Sequence, residues 1–198
     1  MVSIVAAYFI GSIPMAFLIS KIKYGTDIRK VGSGNAGALN IFRQFSKNYG
    51  IIVFILDAGK GALATGVPIW LGAENIIVYL SIVATVLGHN FPVFLWFKGG
   101  KGVATVTGAS FVILPVMTII APVTFFCTFL FTRNVIVSIV VAFLVFDMAI
   151  ISTLHPIPVI ILYISLTGIV LITHLTRTRQ KFLPALKVWD WRTIIKIE

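Results

Sequence analysis

The sequence predicts an all-α integral membrane protein: a seven-helix transmembrane bundle with its N-terminus outside and its C-terminus in the cytoplasm. Three observations lead to this fold class. Of the 198 residues, 59% are hydrophobic and only 11% are charged, and a soluble domain of this size could not hide so much apolar surface. The apolar residues form runs of about 20, which is the length that crosses a bilayer. Lys and Arg number 16 against 6 Asp and Glu, and they cluster between the runs.

The first apolar run extends from about Val2 to Ser20, and no positive charge precedes it. We therefore expect an uncleaved span rather than a signal peptide. The next segment, residues 21–49, carries six Lys and Arg against one acid, which predicts a cytoplasmic loop by the positive-inside rule. The tail that begins at Arg177 is also basic and predicted to be cytoplasmic. The remaining apolar runs cover residues 50–71, 76–97, 103–132, 134–154 and 156–175.

The run 103–132 decides the number of helices. If it crossed the membrane once, the basic tail would lie outside, against the positive-inside rule. We therefore expect two tilted or partial helices that meet near Pro115, because proline interrupts helical hydrogen bonding. This gives seven helices, with five or six and a re-entrant segment as the alternative. No linker or internal repeat is visible, so residues 1–198 are expected to form a single transmembrane domain.

Four polar segments fall on the predicted cytoplasmic side, and the first of them is a glycine-rich loop. Its glycines let successive backbone N–H groups turn toward one anion, and its short polar side chains add donors. An arginine in the same segment can hold a phosphate with two hydrogen bonds. A flexible solvated loop is the alternative interpretation. The candidate residues are Gly32, Ser33, Gly34, Asn35, Gly37, Asn40 and Arg43.

The second segment combines two lysines with three glycines just before a predicted helix. A helix N-terminus offers phosphate free N–H groups and a favourable dipole, so anion binding is favoured over a simple positive-inside turn. The spacing is not that of a Walker loop, so nucleotide hydrolysis is not implied. The candidate residues are Lys98, Gly99, Gly100, Lys101 and Gly102.

The other two segments place ionisable groups inside the spans or at their ends. Asp57 and Lys60 are three residues apart and therefore share one helix face. His89 and Asn90 follow near the cytoplasmic end of the next span, and His174 stands at the cytoplasmic end of the last one. Ionisable groups in a span usually face a polar interior, so Lys60 or His89 can be expected to reach a substrate. A structural ion pair is the alternative.

Five motifs, taken in order, closely resemble the bacterial acyl-phosphate:glycerol-3-phosphate acyltransferases, the PlsY family. They are Gly11 to Pro14, Gly32 to Arg43, Asp57 to Gly61, Gly88 to Phe94 and Phe97 to Thr105. The resemblance implies a seven-helix enzyme of the bacterial inner membrane with its active site facing the cytoplasm. It also implies transfer of a fatty acyl group from acyl phosphate, not acyl-CoA, to the sn-1 hydroxyl of glycerol 3-phosphate. The products are lysophosphatidic acid and phosphate, in the first acylation of phospholipid synthesis.

The resemblance assigns roles to some residues and shows one departure. A serine and an arginine of the first loop are essential in the family and match Ser33 and Arg43, while the lysine–glycine loop is associated with glycerol phosphate binding. The family's third motif begins at His174, but Leu175 and Arg177 stand where arginine and asparagine are expected. No glutamate follows until the last residue. A divergent paralogue with altered substrate is therefore an alternative.

The implied substrates are two anions, so we expect direct transfer driven by their positioning at one cytoplasmic mouth. Arg43 and Lys101 would hold phosphate charge, and Ser33 would orient the donor or acceptor by hydrogen bonding. The base would be His174, His89 or a substrate phosphate oxygen. The histidines lack metal-ligand spacing, so no metal is expected. No cofactor is expected either.

A transporter of a phosphorylated small molecule is the main rival, because it would need similar basic cradles. The almost uniformly apolar outer half of the predicted bundle counts against it. A membrane scaffold is a second rival, but it would not need two cationic glycine-rich loops on one face. We expect the two substrates and membrane lipid as partners, no nucleic acid, and function as a monomer.

Overall fold

A computed structural model of the chain describes residues 2–187, with side chains to residue 177. No strand occurs among these residues, which confirms the all-α class. The nine α-helices of the described chain are α1 Val2–Ser12, α2 Met15–Tyr24, α3 Ala38–Gln44, α4 Lys47–Trp70, α5 Asn75–Asn90, α6 Val103–Ile113, α7 Ile120–Thr132, α8 Val135–Ser152 and α9 Ile157–Lys187.

Five segments of the described chain are long and apolar enough to cross a membrane. Two further apolar helices are shorter, with α6 at 11 residues and α7 at 13. The break expected near Pro115 is present, because α6 ends at Ile113 and the next helical turn begins at Met117. The long segments are Val2–Tyr24, Lys47–Trp70, Asn75–Leu95, Val135–Ser152 and Ile157–Arg177.

The first predicted span is not one continuous helix. It is interrupted between α1 and α2 because Pro14 has no N–H to donate to the preceding turn. It also continues past its predicted end at Ser20, and stops at Gly25, which adopts the left-handed conformation with φ 64°. The break leaves carbonyl groups inside the fold that need other donors.

The structure differs from the sequence prediction in two further places. The apolar run 76–97 ends as a helix at Asn90, because Pro92 disfavours helical geometry in the residue before it. The polar loop 21–49 contains the short helix α3, which no hydrophobic period indicated.

The chain divides into two compact units at Ile113 and Leu114. In the first unit, glycines let helices cross at close range. A Cβ on Gly11 of α1 would collide with the carbonyl of Thr85 on α5, and one on Gly108 of α6 would collide with that of Ala58 on α4. Close crossings of this kind keep the loops at the ends of these helices in fixed positions.

The second unit contains α7, α8 and α9. The Asn134 side chain caps α8 by accepting a hydrogen bond from the Val137 N–H at 3.0 Å. Phe146 of α8 and Tyr163 of α9 meet edge to face, with ring centroids 5.2 Å apart. His155, the residue between the predicted runs 134–154 and 156–175, lies in the connection between α8 and α9. Part of the predicted basic tail, residues 188–198, lies outside the described residues.

Candidate active site

The first glycine-rich loop is folded around the side chain of Asn40, which is only 3% exposed. Its Nδ2 lies 3.2 Å from the carbonyl oxygen of Ile28, and 3.0 Å from those of Val31 and Asn35. Its Oδ1 accepts a hydrogen bond from the Ser33 N–H at 3.2 Å. Asn40 was predicted as a ligand-binding residue, but its polar atoms are directed into the loop itself. Its geometry is that of an internal anchor.

Around this anchor four of the predicted site residues are exposed: Gly32, Ser33, Gly34 and Arg43. Gly32 and Gly34 adopt left-handed φ angles of 59° and 75°, which turn the chain tightly on either side of Ser33. Ser33 is exposed, and its Oγ accepts a hydrogen bond from the Asn35 N–H at 3.4 Å. Arg43 is also exposed, in the last turn of α3. The structure therefore presents Ser33 and Arg43 at the surface of a single folded segment.

The second loop, Lys98 to Gly102, docks on the end of α5. The Gly99 N–H donates to the Asn90 carbonyl at 3.2 Å, and the Gly100 N–H donates to the His89 carbonyl at 2.9 Å. A Cβ on Gly100 would collide with Nε2 of His89, so this position requires glycine for close packing. The sequence predicted that these glycine amides would bind an anion, but both are bonded to protein carbonyls. The charge of the loop comes from Lys98, which is exposed, and from half-buried Lys101.

A buried ion group, defined here as Asp57, Lys60 and His89, lies beside this loop. Lys60 Nζ is 2.8 Å from Asp57 Oδ1, and the two side chains are 4% and 2% exposed. The same ammonium donates to the carbonyls of Gly11 and Ile13 at 3.2 and 2.8 Å. Nδ1 of His89 is 3.6 Å from Asp57 Oδ1 and 3.4 Å from Lys60 Nζ. The geometry favours the ion-pair interpretation of Lys60 over direct substrate contact.

A small recess joins these features within the first unit. It brings together the break between α1 and α2, the first loop, the ion group and the second loop. The two glycine-rich loops, which are about 60 residues apart in the sequence, therefore meet here through Ala36 of the first and Gly99 and Gly100 of the second. The predicted site residues Ser33, Arg43, Lys98 and Lys101 are not among the residues that line the recess. Ser12 was not predicted as a site residue, yet it lies on the recess wall with its hydroxyl buried. The wall is formed by residues 11–15, Ala36, Asp57, His89, Pro92 and residues 99–100.

Arg29, in the turn that precedes the first loop, contacts the turn 93–95 that precedes the second loop. Its Nη1 donates to the Leu95 carbonyl at 3.2 Å, and its guanidinium lies 5.2 Å from the ring centroid of Phe17. Its Nη2 is 2.7 Å from Oδ2 of Asp27, whose Oδ1 also accepts from the Arg29 backbone N–H. Hydrogen bonding from Arg29 lowers the pKa of the Asp27 carboxyl below its ordinary value.

We expect Asp27→Asn to lower the melting temperature at pH 7, by the equivalent of about 1 kcal/mol because the pair is partly exposed. The folded pKa is lowered, so the contribution is complete above the unfolded pKa of about 3.9. It is lost as the pH falls through the folded pKa. Thermal melts of wild type and variant between pH 7 and pH 3 should therefore converge at low pH. Glu74→Gln, at an exposed carboxylate, is the control. A difference that stays constant with pH would contradict this account.

His174 belongs to the second unit of the chain. It is buried on α9, and its Nδ1 lies 3.2 Å from the carbonyl oxygen of Val170. Leu175 after it is exposed, and Arg177 is half-buried. The two residues that depart from the pattern of the resembled family therefore follow a histidine that is itself packed inside the described fold.

Comparison with known proteins places the chain in a family. A family model described as glycerol-3-phosphate acyltransferase matches residues 1–182. The chain belongs to this glycerol-3-phosphate acyltransferase family. The resemblance deduced from the five motifs is thereby confirmed.

Relatives and solved structures of this family agree with the match. Glycerol-3-phosphate acyltransferase 3 of Bacillus anthracis is 41% identical over 170 residues, which cover 86% of this chain and 85% of the relative. Glycerol-3-phosphate acyltransferase 4 of Dehalococcoides mccartyi is 45% identical over 124 residues. That match covers 61% of this chain and about half, 52%, of the relative.

A crystal structure of PlsY (YgiH), described as an integral membrane glycerol 3-phosphate acyltransferase in its glycerol 3-phosphate form, shares the fold. Its TM-score is 0.84 at 31% sequence identity, with 95% of this chain and 97% of that chain covered. The prediction of an integral membrane protein is therefore confirmed.

Proposed function

We propose that this chain transfers a fatty acyl group from acyl phosphate to the sn-1 hydroxyl of glycerol 3-phosphate. The products would be lysophosphatidic acid and inorganic phosphate. Membership of the glycerol-3-phosphate acyltransferase family supports a membrane acyltransferase of phospholipid synthesis. The observation that carries the proposal is the meeting of the two glycine-rich loops at one recess, through Ala36 of the first and Gly99 and Gly100 of the second, in a chain built of apolar helices.

The reaction needs little beyond correct placement of its two anions. The acceptor hydroxyl oxygen forms a bond to the acyl carbon, the bond from that carbon to the phosphate oxygen breaks, and phosphate leaves with the electron pair. Phosphate is a good leaving group, so no strong general acid is required. Arg43, Lys98 and Lys101 supply positive charge to the two phosphates, and Ser33 orients one substrate by hydrogen bonding.

The hydroxyl proton requires an acceptor. His89 is less suited to this role, because it is buried and its Nδ1 already faces Asp57 and Lys60. The remaining candidates are His174 and a phosphate oxygen of a substrate. The departures at Leu175 and Arg177 keep an altered acceptor or acyl donor as an alternative within the same reaction class.

We infer a topology of seven crossings with the N-terminus outside, the C-terminus inside and the active site facing the cytoplasm of the inner membrane. The basic residues of the first loop, Arg133 and the tail then share one side, as the positive-inside rule requires. At 11 and 13 residues, α6 and α7 are too short for full upright spans, so they would be partial crossings that meet at the break near Pro115. We infer a single domain that acts as a monomer.

The decisive assay supplies the purified full-length protein with acyl phosphate and glycerol 3-phosphate, and measures phosphate and lysophosphatidic acid together. Equal amounts of the two products are expected, and a parallel reaction with acyl-CoA should give none. Phosphate release without lysophosphatidic acid would indicate a hydrolase and overturn the proposal. Transport of unaltered glycerol 3-phosphate into sealed vesicles, without any acylated product, would favour the transporter.

We expect Arg43→Lys to lower kcat/KM by about tenfold, because lysine keeps the charge but loses the bidentate hydrogen bonds that arginine can make to phosphate. Initial rates at varied concentrations of each substrate measure this effect. Arg133→Lys is the matched control, because it makes the same change at an exposed arginine of the second unit. Full activity of Arg43→Lys would show that Arg43 contributes charge alone.

A further inference from the structure

The ion group of Asp57, Lys60 and His89 connects three parts of the first unit. It lies between the broken end of α1, the middle of α4 and the second loop. We propose that it is a positioning device that holds the Lys98–Gly102 loop in place for the acceptor substrate, without touching substrate itself. This inference rests on the proposed acyltransferase function.

The first link is between Lys60 and the break at the end of α1. The Met15 N–H bonds to the Ile13 carbonyl at 3.1 Å, so it does not continue the helical pattern by bonding to Gly11. The Lys60 ammonium contacts both of these carbonyls, at the helix end where the backbone dipole is negative. Lys60 therefore fixes α4 against the broken first span.

The second link is between the ammonium and His89. Asp57 compensates the buried charge of Lys60, because an unpaired ammonium at this depth would be strongly destabilising. The two charged groups both lie near Nδ1 of His89, at 3.6 and 3.4 Å. They therefore restrict the orientation of the imidazole ring, which comes from a different helix.

The third link is between His89 and the second loop. The His89 carbonyl accepts the Gly100 N–H, and the far edge of its ring packs so tightly on Gly100 that a Cβ has no room. A tilt of the ring toward the loop would therefore press on Gly100, and Lys98 and Lys101 lie on either side of it in the sequence. The chain of contacts runs from the α1 break to the charged residues of the loop.

Burial distinguishes positioning from substrate contact. Lys60 and Asp57 are almost fully enclosed, so a substrate phosphate is not expected to reach the ammonium. Well-packed apolar residues often hold helices together at least as well as a buried ion pair. An ion group in this place is therefore better explained by the geometry that it imposes on the neighbouring loop than by stability.

The test uses Asp57→Asn and Lys60→Met in the purified full-length protein, with two readouts. We expect each variant to raise KM for glycerol 3-phosphate by about tenfold, since a displaced loop holds its substrate poorly. KM for acyl phosphate should stay within about twofold of wild type, because the first loop keeps its own anchor. Without substrate, trypsin should cleave the folded variants faster after Lys98 and Lys101, as measured by mass spectrometry of the fragments.

Thr85→Val is the matched control. The Thr85 hydroxyl donates to the Ala7 carbonyl at 3.1 Å, so its loss also removes a buried polar link between the first span and α5. It should change neither the KM for glycerol 3-phosphate nor cleavage within the loop. If a single variant fails to fold, Asp57→Asn combined with Lys60→Met leaves no lone buried charge and should show the same two effects.

Folded variants with wild-type KM and wild-type cleavage would overturn the proposal. An equal rise in both KM values, or a loss of active protein alone, would also overturn it, because it would indicate a purely structural role. If the wild type makes no lysophosphatidic acid, the proposed function fails. The cleavage readout would still decide whether the ion group holds the loop.

Discussion

Asn40→Asp should reduce kcat/KM for acyl transfer by about 100-fold, because small errors in the placement of reacting groups are costly. The change preserves side-chain size and the bond from the Ser33 N–H. It replaces the Nδ2 donor with a carboxylate oxygen that faces the carbonyl oxygens of Ile28, Val31 and Asn35. Four oxygen atoms would then face one another at close range, and we expect the loop to open to relieve the repulsion. Ser33 would move with it.

Initial rates with both substrates measure the loss, and the melting temperature in detergent shows whether the variant is folded. Asn48→Asp is the matched control, since it makes the same change at an exposed position in the first turn of α4. A negative charge there is compatible with the helix dipole, so activity should remain near that of wild type. If Asn40→Asp kept more than about one third of wild-type activity, the loop would not depend on this anchor for its catalytic shape.

The role of Asn40 also shows where prediction from sequence stops. Glycine spacing and short polar residues predicted the loop, and the five motifs predicted the family. The direction of the Asn40 side chain depends on left-handed turns at Gly32 and Gly34, and on a helix that no hydrophobic period indicated. Asn40 is a residue type that often binds ligands, but here its side chain bonds within its own loop.

For the ion group, too, the sequence predicted one part of the geometry but not the other. Helical spacing predicted that Asp57 and Lys60 share a face, because residues three apart are neighbours. The carbonyl partners of Lys60 are 47 and 49 residues away, at a break that the hydropathy of the first run does not show. They become neighbours only through packing of the helices. The break between α6 and α7 was predicted correctly. The apolar run 103–132 is too long for one span and too short for two, and Pro115 lies within it.

Gly61→Ala and Gly59→Ala should change stability in opposite directions, although both lie on α4 and add the same methyl group. A Cβ on Gly61 would collide with the carbonyl oxygen of Thr105 on α6, whereas one on Gly59 would meet nothing within 4 Å. We expect Gly61→Ala to destabilise the protein by about 1–3 kcal/mol through overpacking. Gly59→Ala should stabilise it by up to about 1 kcal/mol through helix propensity.

Thermal melts in the same detergent compare the two variants, and Gly108→Ala tests the crossing from the α6 side. Its Cβ would collide with the Ala58 carbonyl, so it should resemble Gly61→Ala. Because α6 begins directly after the lysine–glycine loop, separation of α4 from α6 should also raise KM for glycerol 3-phosphate. If Gly61→Ala and Gly108→Ala melted like Gly59→Ala, the close approach of α4 and α6 would be incorrect. In that case only the contacts with α5 and the ion group would hold the second loop in place.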